Sequence, residues 1–214
     1  MDAFIEFFLQ TFISIFVIVD SVGATALYLP LISKFSDKQK KNMIITSIIV
    51  AAGTLLVMSF AGIYILNYLG IQMYSLKIAG GILLFVVAME MLLGFDTRTK
   101  HSKNEHESAM QAKEIAITPL AIPFLTGPGA ITAGILLFNR ATSINEISAF
   151  TLGIIAVFAI SYFVLIESQR VYKKLGMTGV KVVTRIMGLL IAALAVQFIS
   201  NGISELAVAI ISML

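Results

Sequence analysis

The chain of 214 residues is 58% hydrophobic and only 13% charged, where a soluble domain carries about 25% charged residues, so it reads as an integral membrane protein. Mean hydropathy is +0.96, and the net charge of +3 and pI of about 9.1 come from lysines grouped in short loops, an orientation signal and not a nucleic-acid surface. With no cysteine, disulfides, thiolate metal sites and cysteine nucleophiles are excluded.

Apolar runs that continue for about twenty residues predict helices, since barrel strands are shorter and alternate. Six spans are expected in chain order: Ala3 to Ile32, Asn42 to Leu69, Ile71 to Leu93, Ile115 to Phe138, Ile144 to Ile166 and Val182 to Asn201. Each approaches or exceeds the ~20 residues that cross a ~30 Å hydrocarbon core. The N-terminus, Met1 to Glu6, is acidic and lacks the basic region of a secretory signal, so the first span is expected to be retained. Gly202 to Leu214 is apolar apart from Glu205 and a few serines, and either extends the last helix or lies in the interface.

Lysine and arginine fall on alternate loops. The first carries Lys34, Lys38, Lys40 and Lys41, the third Arg98, Lys100, Lys103 and Lys113, and the fifth Arg170, Lys173, Lys174 and Lys181. The second has none and the fourth only Arg140. Odd loops are therefore expected in the cytoplasm and both termini outside. Without tryptophan, the interfacial belt falls to Tyr64, Tyr68 and Tyr74 at the outer ends of spans two and three.

The hydrophilic stretch 96–114 separates a first set of three helices, 1–95, from a second, 115–214, within one membrane domain. The sets echo each other: Val22, Gly23 and Ala24 align with Pro128, Gly129 and Ala130, and Lys77, Gly80 and Gly94 align with Arg185, Gly188 and Gly202 once a small insertion near Gly179 is allowed. Because each set has an odd number of spans, the copies enter the membrane from opposite sides. The expected fold is an all-α polytopic protein of six transmembrane helices in two inverted three-helix repeats, with helices 1 and 4 broken.

The break in helix 4 is the stretch Thr118 to Gly134, which packs Pro119, Pro123, Gly127, Pro128 and Gly129 into an otherwise apolar run. Proline and consecutive glycines cannot continue a helix. In hydrocarbon a broken backbone persists only where protein or a polar cavity satisfies it. Its counterpart is Asp20, a carboxylate in the middle of the first span followed by Ser21, Val22 and Gly23. Mid-membrane carboxylates face a cavity, a partner or a proton path. Asp20 is read both as a proton-coupling or ammonium-binding group and as a cap on the helix that starts after the Ser-Val-Gly break. Amide hydrogens at the start of the half-helix after Thr126, Gly127, Pro128 and Gly129 suit a carboxylate, and the small neighbours Thr25, Ala130 and Thr132 imply a small cavity, which Gly129→Val is expected to fill. A zwitterion between the two breaks would have both charges met.

Other polar groups carry simpler readings. Lys77 and Arg185 are expected to snorkel to the headgroups, and Gln197 and Asn201 to make interhelical hydrogen bonds. Gly80, Gly81 and the Gly188 to Ala192 spacing are expected to pack helices closely; an oligomer is allowed but not required. His101 and His106, among Glu105 and Glu107, are read as solvated side chains, so no metal or cofactor is expected. Without a phosphate-binding loop, a histidine in any span or an HExxH motif, an enzyme is not expected.

The segments Pro119 to Thr132 (PLAIPFLTGPGAIT), Lys77 to Leu92 (KIAGGILLFVVAMEML) and Arg185 to Gly202 (RIMGLLIAALAVQFISNG) resemble the signatures of the MarC family of six-helix bacterial and archaeal membrane proteins, over nearly the whole chain. Where that family reads Asp-Pro-hydrophobic-Gly-Asn-hydrophobic-Pro, this chain keeps Asp20 and Gly23 but has Ser21, Ala24 and Ala26 in place of Pro, Asn and Pro. The resemblance implies proton-coupled transport of small neutral amino acids such as glycine and alanine. The substrate site would then comprise Asp20, Ser21, Gly23, Thr25, Thr126, Gly127, Pro128, Gly129 and Thr132, with Asp20 carrying the proton. The competing readings are an exporter of other small metabolites or amphiphiles and a membrane protein whose kinked helices only support assembly.

Overall fold

The computed structural model describes residues 3–32, 35–93, 116, 121 and 125–212, and among these the secondary structure is helical, with no strand. The helices are α1 (Ala3–Val19), α2 (Ser21–Ile32), α3 (Asp37–Tyr68), α4 (Met73–Leu93), α5 (Pro128–Phe138), α6 (Ile144–Ile166) and α7 (Ser168–Ile211). The stretch 96–114, Pro119 and Pro123 lie outside the described residues.

Among the described residues, five helical stretches are long and apolar enough to cross a membrane: Ala3–Thr25, Asp37–Tyr68, Met73–Leu93, Ile144–Ile166 and Lys173–Ile211. Of the expected fourth span, Ile115 to Phe138, the described helical part is the shorter α5. The last helix begins earlier and ends later than expected. It runs from Ser168 to Ile211, taking in most of Gly202 to Leu214, and bends at Gly176, whose φ of 65° only glycine adopts freely. Serine caps begin α3 and α6: the Ser36 and Ser143 hydroxyls accept the amides of Gln39 and Glu146, whose side chains reach back to the cap amide.

Side-chain contacts give the directions. Ser47 donates to the Ala116 carbonyl, Thr126 to that of Ala51, and Gly62 abuts Ile135, so α5 runs parallel to α3. Along α5, Gly129 abuts Leu84 and Thr132 abuts Gly80, so α4 runs antiparallel to it. Between α4 and α7, which share the most extensive interface among the described helices, Gly81 receives Ala195 and Ile199, Gly188 receives Ala88 and Met91, and Gly202 lies on Tyr74 and Lys77. These two helices are antiparallel and mesh through glycine notches, as the small-residue spacing predicts. The Lys77 side chain, 15% exposed, pairs its ammonium with Glu205 across the same seam.

The interior holds Ile15, Leu55, Leu84, Phe150, Ile154, Phe158 and Ile191, all fully or almost fully buried. Phe60, Phe138 and Phe150 make edge-on and tilted ring contacts at centroid distances of 4.7 to 6.3 Å. The outside is as apolar as the inside, with Ile49, Val57, Leu189 and Val208 more than 60% exposed. Such a surface fits lipid and would aggregate in water. Tyr64 and Tyr68 are exposed at the end of α3, where the aromatic belt is expected. Gln197 and Asn201 depart from the expected interhelical bonds, because the Gln197 amide donates to Asn201 within α7.

Candidate functional site

The first break falls on Asp20 itself, ahead of Ser21, Val22 and Gly23 and not after them. Asp20 has φ 40°, a left-handed backbone that aspartate tolerates better than most residues because its short side chain bonds locally. The bond is present: the Gly23 amide donates to Asp20 Oδ1 at 3.1 Å, the arrangement of an N-cap. The Asp20 amide still reaches the Phe16 carbonyl at 3.1 Å, and the Ala24 amide reaches the Asp20 carbonyl at 2.9 Å. The i→i−4 bonding therefore reaches Asp20 from both sides, and the carboxylate holds the join.

Gly23 explains why the join needs a glycine. A Cβ there would collide with Asp20 Oδ2 and lie 2.6 Å from Thr184 Oγ1 on α7. Thr184, absent from the sequence-based set, thus converges with the Asp20 carboxylate on one point. Ser21 is 1% exposed, and its hydroxyl has no hydrogen-bond partner among the described residues. The Thr25 hydroxyl donates to the Val22 carbonyl at 2.7 Å.

The second break is built differently. The Thr126 amide reaches back five residues to the Ala121 carbonyl at 3.0 Å, a wider turn than an α-helix makes, and the Thr126 hydroxyl donates to the Ala51 carbonyl on α3 at 2.9 Å. Gly127 is extended (φ −78°, ψ 173°) and caps α5 without any side-chain bond, with Pro128 in the first helical position, where its missing amide costs nothing. The amides of Gly129 and Ala130 thus begin α5 with no side-chain acceptor from the cap, in contrast to Gly23. Gly129 does not border an open gap: a Cβ there would stand 2.5 Å from Leu84 Cδ2, so Gly129→Val would strike α4 instead of filling a cavity. Thr132 is likewise engaged, its hydroxyl on the Pro128 carbonyl at 2.9 Å and its methyl against Gly80.

Of the predicted set, then, Asp20, Ser21 and Gly23 come together with Thr184. Thr126, Gly129 and Thr132 anchor the second break to α3 and α4, and α1 touches α5. Two further buried hydroxyls, Thr11 and Ser161, lack a partner among the described residues. Sequence carries no signal for these or for Thr184, because a lone hydroxyl in a membrane helix satisfies itself on a nearby carbonyl as a rule. Among the described residues no three His, Asp or Glu side chains gather into a metal site; His101, His106, Glu105 and Glu107 lie outside them.

Residues 5–207 match the family described as "MarC family integral membrane protein". Similar proteins include a "UPF0056 membrane protein" of Archaeoglobus fulgidus, 36% identical over 202 residues and 94% of each chain. Another is "UPF0056 membrane protein MJ1677" of Methanocaldococcus jannaschii, 36% identical over 199 residues, 93% of this chain and 97% of that one. A third is "UPF0056 membrane protein YhcE" of Escherichia coli, 34% identical over 206 residues and 95% of each. No solved structure matches. With its polytopic helices and a match over almost its whole length, the chain belongs to the MarC family of integral membrane proteins.

Proposed function

We propose that this chain is a secondary transporter of small neutral amino acids of the glycine and alanine class, driven by protons, in a bacterial plasma or inner membrane with both termini outside. The carrying observation is Asp20: a carboxylate within the first apolar span, at a left-handed break, tying the start of α2 to itself. A membrane helix that keeps a carboxylate and a left-handed break at one residue carries two costs that substitution by leucine would remove. Discontinuous helices with ionisable groups are how secondary transporters build sites near the midplane.

In this reading the substrate ammonium sits at Asp20 and its carboxylate at the uncapped amides of Gly129 and Ala130, where the helix dipole favours an anion. Glycine and alanine fit because the surroundings, Gly23, Thr25, Gly127 and Ala130, offer little side-chain volume. Two inverted repeats are supported by the α4–α7 seam: Met91 and Ile199, equivalent when Gly80 is aligned with Gly188, each pack against a glycine of the opposite helix, Gly188 and Gly81.

The test is glycine and alanine flux in proteoliposomes under an imposed proton gradient, wild type against Asp20→Asn. Loss of at least tenfold of the proton-driven flux is expected, with folded protein recovered in equal yield. Unchanged proton-driven flux in the variant would remove Asp20 from the mechanism, and absence of amino-acid flux in the wild type would remove the function.

A further inference from the structure

The start of α7 bends at Gly176, and the neighbouring residues give the direction of the bend. Helical side chains at i and i+4 have Cβ atoms about 5–6 Å apart, yet a Cβ on Gly179 would stand 3.0 Å from Leu175 Cβ. The stretch 168–175 therefore folds in on the side of α7 that carries Gly179. At helical spacing that side continues through Val182, Ile186 and Leu190, all exposed and apolar, whereas the face packed in the bundle runs through Val180, Gly188, Ile191 and Ala195. The elbow thus leans outward, over the lipid-facing stripe. It is seated at both ends, because Ser168 and Val180 are each 2% exposed.

The elbow presents cationic and apolar groups together. Arg170, Lys173 and Lys174 are exposed before the bend, and Lys181 and Arg185 are exposed one turn apart beyond it. Arg170 pairs with Glu167, but among the described residues no carboxylate pairs with Lys173, Lys174, Lys181 or Arg185. An excess of lysine at the cytoplasmic end of a span orients a membrane protein and accounts for the charge alone. It does not account for Leu175 and Met177, which are 41% and 60% exposed within the basic stretch. On a straight helix they would project about 6–9 Å farther from the hydrocarbon than Lys181 does, into water, at 1.5 Å per residue. Bent toward lipid, they enter the interface, the arrangement of an amphipathic segment that lies among headgroups.

We propose that this elbow seats an anionic phospholipid, whose phosphate and headgroup charge meet Lys173, Lys174, Lys181 and Arg185 and whose acyl chains lie along Val182 and Ile186. Four cations with no carboxylate among them repel one another, and an anion supplied by the bilayer relieves that repulsion. A zwitterionic lipid brings its own ammonium and relieves it less. The lysine and arginine stems cover the edge of the apolar stripe while their heads reach the phosphate level. In the orientation proposed above, the leaflet concerned is the cytoplasmic one, whose anionic lipids attract juxtamembrane basic segments.

The chain has no tryptophan, so a single one introduced at the elbow, Met177→Trp, reports the lipids beside it. Its fluorescence is measured in the full chain, reconstituted in bilayers of equal parts phosphatidylcholine and phosphatidylglycerol. Brominated acyl chains, which quench tryptophan on contact, are placed on one lipid or the other, and the ratio of the two quenching efficiencies gives the local preference. Phosphatidylglycerol is expected to be favoured at least threefold at this position, and not at Val208→Trp, a site 67% exposed at the far end of α7. The preference is expected to fall to near parity when Lys173→Gln and Lys174→Gln, or Lys181→Gln and Arg185→Gln, are added, and in about 1 M sodium chloride, where charges act over only ~3 Å. Lys38→Gln with Lys41→Gln, which neutralises the basic start of α3, is expected to leave it unchanged, as is glycerol phosphate in solution. An equal preference at both reporter positions, or one that survives both double variants at the elbow, overturns the proposal. So does an equal loss in the α3 variant, which would mark a general attraction of the cytoplasmic end, and so does displacement by glycerol phosphate, which would mark a site for free phosphate. A tryptophan that neither brominated lipid quenches overturns the interfacial placement. Should Met177→Trp fail to fold, Leu175→Trp takes its place. Both leaflets carry both lipids, so the result does not depend on which face is cytoplasmic, and the transport reading stands or falls separately.

Discussion

Asp20 does two jobs that substitutions can separate. Its backbone needs a residue that accepts φ 40°, and α2 needs an acceptor for the Gly23 amide. Asparagine meets both demands without a charge, glycine meets the first, and alanine meets neither. Asp20→Ala is therefore expected to lose about 1 kcal/mol for the cap and a further 1–2 kcal/mol for the left-handed backbone, while Asp20→Asn stays within about 0.5 kcal/mol. Denaturant unfolding of the purified protein checks the ranking, and equal stability of the alanine and asparagine variants would contradict the cap. Gly23→Ala belongs with the severe changes, because its Cβ would displace Asp20 Oδ2 and crowd Thr184 Oγ1. The charge at position 20 was visible in the sequence as an interruption of an apolar run. Which residue turned left-handed, and so on which side of Ser21 to Gly23 the break falls, was not, since aspartate, serine and glycine all tolerate helix starts.

At the level of the helices, glycines separate into those that make the fold and those that do not. Gly81 and Gly188 are notches in the α4–α7 seam, whereas a Cβ on Gly53, in the exposed face of α3, would touch nothing within 4 Å. Enlarging a notch overpacks the seam, so Gly81→Leu and Gly188→Leu are each expected to destabilise by about 1–3 kcal/mol or more. Gly53→Ala should instead stabilise by up to about 1 kcal/mol, the difference in helix propensity. A thermal-shift series over these three variants tests the assignment, and a destabilised Gly53→Ala would contradict it. Spans were legible because hydrocarbon demands continuous apolar length, and the described helices fall within a few residues of four of the six expected. The sixth was not legible at its start: polar residues from Ser168 to Lys181 carry no apolar signal, yet serine, lysine and glutamine continue a helix readily beyond the hydrocarbon. The pairing of Lys77 was illegible for a related reason. Its partner Glu205 lies 128 residues away, and no local pattern links them.

For the molecule as a whole, the basic starts of α3 and α7, with Lys38, Lys40 and Lys41 on one and Arg170, Lys173 and Lys174 on the other, lie at the same end because those two helices are parallel. Both face the cytoplasm in the orientation proposed. Since the chain has no cysteine, single replacements report sidedness without background. Lys38→Cys is expected to resist an impermeant maleimide in intact cells and to react after permeabilisation, and Asn139→Cys to react in both; the reverse pattern would turn the orientation over. The interlocking of α4 with α7 also limits how such a protein moves. Ile199 sits in the notch of Gly81 and Met91 in that of Gly188, so a slide of one helix along the other would lift both side chains out at once and drive them into the neighbouring ridges. Vertical travel of one half past the other, as in a lift, is thereby obstructed, while a small tilt about the seam leaves both side chains seated. The α4–α7 pair is an axle, and each of the two breaks is seated on one of its helices, Gly23 against Thr184 of α7 and Gly129 against Leu84 of α4.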